Sequence, residues 1–134
     1  MSDHIVSAFT DELDKLAADI LRMGGIVETM ILDACAAVNK NDVDAARDVV
    51  ARDEQVDKIE ADVERQIVSL IARRQPMAHD LRAVFSALKV VGELERIGDL
   101  SKNIAKRTLR LDENVGASMR KGIYRMASPV SRQL

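Results

Sequence analysis

The chain has 134 residues, of which 47% are hydrophobic and 31% are charged, a balance that is typical of one folded domain and excludes a disordered chain. Aromatic residues make up only 2%, and two prolines and six glycines interrupt the chain, so we expect an aliphatic core and an all-α fold. So few rings for stacking on bases also argue against nucleic acid as a partner.

Charge is divided unevenly along the chain. Residues 1–64 contain 16 acidic and 6 basic residues, whereas residues 65–134 contain 6 acidic and 14 basic residues. We expect the two halves to pack on each other, within one molecule or between two; a surface for anions or membranes is the alternative. No signal peptide or membrane span is evident, which favours a cytoplasmic protein. Cys35, the sole cysteine, is predicted to be a small buried residue in a reducing compartment.

The first predicted helix spans about residues 3–39. Its apolar side chains alternate at steps of three and four, the pattern of the buried side of a long bundle helix. They are Phe9, Leu13, Leu16, Ile20, Met23, Val27, Met30, Ala34 and Ala37. The pattern keeps its phase across Gly24 and Gly25, so we expect one continuous helix. It should end near residues 39–42, where Asn41 or Asp42 can cap the next helix.

The second and third predicted helices span about residues 43–73 and 77–111, with a turn in which Pro76 takes the first helical position. The buried side of the second helix is predicted at Ala46, Val49, Asp53, Val56, Glu60, Val63, Ile67 and Leu70. The third helix has two neighbouring apolar rows, Leu81, Val84, Leu88, Val91 and Glu95 in one and Val90, Leu94, Ile97 and Ile104 in the other. At Gly92 and Gly98, within this helix, we expect close approach of a neighbouring helix.

Four carboxylates are predicted to meet between the second and third helices. If these helices form an antiparallel hairpin, Asp53 lies level with Asp99, and Asp57 lies level with Glu95. The spacing of four residues within each pair puts both members on the same side of their helix, about 6 Å apart along the axis. Such a cluster could hold a metal ion, because hard oxygen ligands suit magnesium, calcium, manganese or iron.

A salt-bridged layer is the competing interpretation of this cluster. Arg52 and Arg96 could pair with the carboxylates and fix the register of the helices without a metal. No Glu-x-x-His motif is present, which argues against a di-iron oxidase bundle. The chain also has no nucleophile with a plausible base and no phosphate-binding glycine loop, so we do not expect an enzyme. For the basic residues Lys102, Lys106, Arg107 and Arg110 we expect interaction with a helix C-terminus, with an anion or partner site as the alternative.

Three segments resemble the PhoU family of phosphate-signalling regulators. They are RMGGIVE at 22–28, RRQPMAHDLR at 73–82 and ELERIGDLSKNIAKR at 93–107, and the resemblance extends over about residues 4–111. It implies a cytoplasmic negative regulator of phosphate uptake and of the phosphate-starvation response, not an enzyme. The implied partners are a sensor histidine kinase and the ATPase subunit of the phosphate ABC transporter, so that any membrane association is through these partners.

The resemblance also implies a metal site. Family members carry E(D)-x-x-x-D motifs that can bind metal clusters, and Glu95 with Asp99 and Asp53 with Asp57 match those motifs. Iron, manganese, zinc or magnesium are the candidate ions.

The family has two similar three-helix repeats, whereas this chain has one repeat and a remnant. We therefore predict an antiparallel three-helix bundle at residues 1–111, a linker at 112–117 and, at 118–134, the short first helix of a truncated second repeat. The unpartnered apolar side of that helix predicts a homodimer. Two other functions remain open: a carboxylate-bridged metal-binding helical protein, and a structural helical bundle without metal.

Overall fold

The three predicted helices are present in the computed structural model, which describes residues 2–74 and 77–133 and, among these, the side chains of residues 8–74, 77–78, 80–119 and 121–122. Helix α1 spans Ser2–Lys40, α2 spans Val43–Arg74 and α3 spans Ala78–Gln133. Each helix packs against both of the others, which confirms the all-α three-helix bundle. In the part of the chain described, no helix is long and apolar enough to cross a bilayer.

The core follows the apolar stripes predicted for α1 and α2. All of the α1 positions are buried or packed against the core, and on α2 only Glu60 is less than fully buried. These stripes meet α3 at Val84, Val91 and Ala105, which are also buried. The alternation of apolar residues therefore placed two of the three buried faces correctly.

The buried face of α3 differs from the prediction. Val90 and Ile97 are 46% and 37% exposed, whereas Ser101 and Thr108 are fully buried. Both buried hydroxyls donate to carbonyl oxygens one turn earlier in the helix, Ser101 to Ile97 at 2.7 Å and Thr108 to Ile104 at 3.4 Å. Because these bonds satisfy the hydroxyls, small polar residues can replace larger apolar ones in the core.

The turn between α1 and α2 is closed by its backbone. Asn41 has a positive φ of 53°, and the amide of Asp42 donates to the carbonyl of Ala37 at 2.9 Å, which ends α1 in the Schellman arrangement. The Asp42 carboxylate accepts from the amide of Ala45 at 3.1 Å, so Asp42 caps α2 as one of the two predicted candidates. The predicted role of Pro76 in the second turn lies outside the described residues.

Helix α3 runs without a break through the predicted linker at 112–117, which is a correction. A separate helix at 118–134 is therefore also wrong, and its assignment to a second repeat stays a prediction. At 56 residues α3 is far longer than α1 or α2, and among its described side chains Leu109 is the last that packs against the core. The following apolar residues Leu111, Val115 and Met119 are all more than half exposed.

Two smaller predictions were wrong. Cys35 is exposed, because it directly follows the buried Ala34 and so lies on the solvent side of α1. At Gly92 a Cβ atom would meet nothing within 4 Å, so no helix approaches it closely.

Ion pairs join the acidic first half of the chain to its basic second half within one molecule. Arg74 and Arg73 contact the Glu12 carboxylate at 2.8 and 3.4 Å, and Lys102 contacts Asp53 at 3.1 Å.

Candidate functional site

Asp53 is the buried centre of the predicted carboxylate cluster. It lies on α2 between the core residues Val49 and Val56, and it is only 5% exposed. Gly98 of α3 lies opposite, where an added Cβ would be 3.7 Å from Val56 Cγ1 and 3.9 Å from Asp53 Oδ1. The two helices therefore meet at Gly98, as the sequence predicted. Since the distances are those of ordinary contact, an added Cβ would not be crowded there.

The Asp53 carboxylate is paired with a lysine of α3. Lys102 Nζ donates to Asp53 Oδ2 at 3.1 Å, and this hydrogen bond, together with the negative charge of Asp53, raises the pKa of the lysine. An unpaired carboxylate in this position would cost several kcal/mol. Lys102 therefore supplies the positive charge that a buried acid needs.

Three further carboxylates lie close to Asp53. Although Asp57 is exposed as a whole residue, partial removal of its carboxyl from water raises its pKa; the negative charges of Asp53, Asp99 and Glu95 raise it further, while Lys102 acts in the opposite direction. The four residues predicted from the sequence are therefore within electrostatic reach of one another. One lysine faces four acids, so the site has an excess of negative charge.

Glu60 is the acidic residue that the predicted site left out. Burial raises its pKa to about 7, with further contributions from a hydrogen bond to the Glu95 carboxyl and from the charges of Glu95, Glu64 and Asp57. With its pKa near 7, Glu60 keeps its proton over most of the acidic range. The signal for Glu60 was present in the sequence, because it and Asp53 are the acidic positions of the α2 apolar stripe.

The predicted arginine partners lie elsewhere. Arg52 binds Asp33 of α1 at 2.6 Å and Asp48 of its own helix at 3.0 Å, and Arg96 lies 3.7 Å from Glu93. Lys102 had been assigned to a helix C-terminus, but α3 continues well beyond it to Gln133. The salt-bridged layer therefore exists in part, with Lys102 in the role expected of Arg52 and Arg96.

The metal interpretation of the cluster stays a prediction. Among the side chains that the structure describes, no group of three or more from His, Cys, Asp or Glu is arranged to hold a metal ion. The donors are nevertheless hard oxygens in excess over positive charge, which is the chemistry that divalent cations prefer. The ligands that the sequence predicts for such an ion are Asp53, Asp57, Glu95 and Asp99.

The PhoU domain family matches residues 20–108 of the chain. A "Phosphate-specific transport system accessory protein PhoU homolog" of Caulobacter vibrioides is 43% identical over 135 residues, which are 100% of this chain and 59% of that protein. A homologue of the same description from Rhizobium meliloti is 36% identical over 132 residues, which are 98% of this chain and 56% of that protein. The chain thus spans somewhat more than half the length of these relatives.

A solved structure shows the same fold. The crystal structure of PhoU from Pseudomonas aeruginosa superposes with a TM-score of 0.77 at 39% sequence identity, over 79% of this chain and 51% of that chain. The similarity thus extends from local motifs to the arrangement of the helices.

Proposed function

Since this chain belongs to the PhoU family, we propose that it regulates phosphate uptake as an adaptor protein without catalytic activity. In this role it is a cytoplasmic negative regulator that contacts the ATPase subunit of a phosphate ABC transporter and a sensor histidine kinase, keeping the starvation response off when phosphate is abundant. The family match over residues 20–108, together with relatives described as accessory proteins of phosphate-specific transport, supports this proposal.

Binding to the two partners tests the adaptor role directly. The chain would be immobilised and exposed in separate experiments to the purified transporter ATPase and to the cytoplasmic part of the kinase. Retention of both at micromolar concentration is expected. Retention of neither, by a chain whose helical circular dichroism is intact, would contradict the adaptor function.

A reporter experiment tests the regulatory direction. In Caulobacter vibrioides depleted of its own homologue, expression of this chain is expected to lower a phosphate-starvation reporter in phosphate-rich medium. A reporter that stays fully active, with the chain present at normal abundance, would argue against negative regulation.

We also propose that the carboxylate cluster takes a divalent cation. Clustering of Asp53, Asp57, Glu95 and Asp99 supports the proposal, since their mutual repulsion would fall if a cation were bound. The bound ion would supply positive charge that holds α2 and α3 together. The Lys102 ammonium competes for the same Asp53 oxygen, so Lys102→Met is expected to raise the affinity of the site for the ion.

Elemental analysis of chelator-free protein tests the metal site. Metal near one equivalent is expected in the parent protein and missing from Glu95→Ala/Asp99→Ala. Glu93→Ala/Asp112→Ala removes two exposed carboxylates from the same helix and serves as the control, which should keep its metal. Equal metal content in all three proteins, or none in any, would count against the site.

Finally, we propose a homodimer formed through the extension of α3. Leu111, Val115 and Met119 recur every four residues and are 57%, 53% and 62% exposed, and burying such a stripe in a second copy would remove it from water. Sedimentation velocity at tens of micromolar is expected to show a dimer that Val115→Glu/Met119→Glu dissociates. Leu21→Glu/Val68→Glu alters similarly exposed apolar residues elsewhere and should leave the dimer intact. A monomeric parent protein would rule the proposal out.

A further inference from the structure

A cavity of about 470 Å³ opens between α1 and α2, on a side of the bundle that the carboxylate cluster does not use. Its floor contains the buried Ile59 and the half-buried Ile26, and its rim contains Arg22, Lys58 and Arg65. The volume lies within the range of about 300–1,000 Å³ that small-molecule sites occupy. Positively charged groups at the rim of an apolar hollow attract anions, because the apolar wall does not screen their field.

The negative charge in this cavity is already neutralised. Asp62 is the only acidic residue among those lining it, and it lies 3.6 Å from Arg65 and 3.9 Å from Lys15. The same carboxylate also accepts a hydrogen bond from Gln66 at 2.9 Å. Asp62 is thus engaged from three directions, which leaves it little capacity to neutralise the other cations of the rim.

Two of the rim cations have no close partner, although the charge of Arg22 contributes to lowering the pKa of Asp19. Within the described part of the chain, neither Arg22 nor Lys58 forms an ion pair or a side-chain hydrogen bond. Residues 1–64 contain 16 acidic residues and only 6 basic ones, of which Lys15, Arg47 and Arg52 form ion pairs. Arg22 and Lys58 do not, and both lie at the same cavity.

We propose that this cavity is a binding site for a diphosphate or triphosphate group. An arginine guanidinium can bind two phosphate oxygens at once, and a lysine adds a compact positive charge, so Arg22 and Lys58 together suit two neighbouring phosphates. The volume admits a chain of phosphates, either free or attached to a nucleoside that would rest on Ile26 and Ile59. The site is separate from the carboxylate cluster and does not depend on the adaptor function.

Titration calorimetry in magnesium-free buffer tests the site with two probes, tripolyphosphate and ADP. We expect both to bind, and orthophosphate to bind more weakly. Equal affinity for the two probes would mean that only the phosphate chain is recognised, whereas tighter binding of ADP would assign a nucleoside to the apolar floor. Both results support the proposal, and no detectable binding of either probe at millimolar concentration would overturn it.

Two charge-matched double variants distinguish the cavity from general attraction to positive charge. Arg22→Gln/Lys58→Gln is expected to weaken binding at least tenfold. Arg47→Gln/Lys89→Gln removes the same two charges from exposed positions outside the cavity and should change the affinity less than twofold. Equal weakening in both would overturn the proposal. Since all four side chains are exposed, a normal melting temperature should confirm that each variant is folded.

Discussion

The carboxylates at the two interfaces of α2, with α1 and with α3, lie in opposite electrostatic environments. Towards α1, Glu12 and Asp19 each meet a donor, and their pKa values are lowered mainly by hydrogen bonds from Arg74 and Gln66 respectively. Towards α3, Asp57 and Glu60 lie among other carboxylates, and their pKa values are raised by partial removal from water and by negative charge. The first interface is balanced and stabilises the bundle. At the second interface the carboxylates repel one another, and the candidate site is assigned to it for this reason.

Removing the positive charge that pairs with Asp53 should have the largest effect. Lys102→Met leaves Asp53 buried without a partner and is expected to lower the free energy of unfolding by about 3 kcal/mol. Urea denaturation at pH 7 measures it. The double variant Asp53→Leu/Lys102→Met should recover most of the loss, because the buried charge is then absent. Lys89→Met, at an exposed position of α3, is the control and should change the free energy of unfolding little. A loss in Lys102→Met that is as small as that in Lys89→Met would show that Asp53 does not need the lysine.

The pH dependence of stability should distinguish the two interfaces next. Because the folded-state pKa of Glu60 is about 7 rather than 4.5, the native protein binds more protons than the unfolded chain between these values. The contribution of Glu60 to stability is thus present at low pH and is lost as pH rises through about 7. Glu60→Gln should remove this decline, by about 2 kcal/mol between pH 5 and pH 8.

The matched control for that pH series is Glu54→Gln, which alters an exposed carboxyl of the same helix. Unfolding free energies at several pH values should give the same slope for Glu54→Gln and the parent. A parent protein whose stability does not fall between pH 5 and pH 8 would contradict the raised pKa of Glu60.

The α1 side should show a smaller effect of opposite sign. The pKa of Glu12 is lowered by its contact with Arg74, so the stability it contributes is present above its ordinary value of 4.5 and is lost as pH falls. Glu12→Gln is expected to cost about 1 kcal/mol at pH 7, since the pair is partly exposed, and to cost less at pH 3. Acid and neutral melting curves measure it. An equal loss at both pH values would mean that packing, and not charge, is what Glu12 contributes.

The sequence predicted the fold more fully than the site. On α1 and α2 the apolar residues are large and alternate regularly, so the buried faces were evident. On α3 the buried face passes through Gly98, Ser101 and Thr108, whose size and polarity hide it, while the conspicuous Val90 and Ile97 face water. The spacing of apolar residues alone cannot reveal a buried face made of small residues whose hydroxyls form hydrogen bonds within the helix.

Two predictions about α3 were wrong, one on the contact of Lys102 and one on where the helix ends. Lys102 was not among the predicted partners of Asp53, because Asp53 was expected to lie level with Asp99. The long side chain of Lys102 nevertheless reaches Asp53 from α3. The segment at 111–116 contains Asp, Asn and Gly, which favour turns, yet α3 continues through it.

The exposed Cys35 gives the molecule a single chemical handle. Because it is the sole thiol in the chain and lies on the solvent side of α1, a maleimide dye should attach at one position without any other cysteine competing. Fluorescence anisotropy of that dye would report the binding of a large partner, and energy transfer between labelled copies would report self-association. The same exposure makes the protein able to form a disulfide between two copies in air, so a reducing agent is needed whenever its assembly is measured.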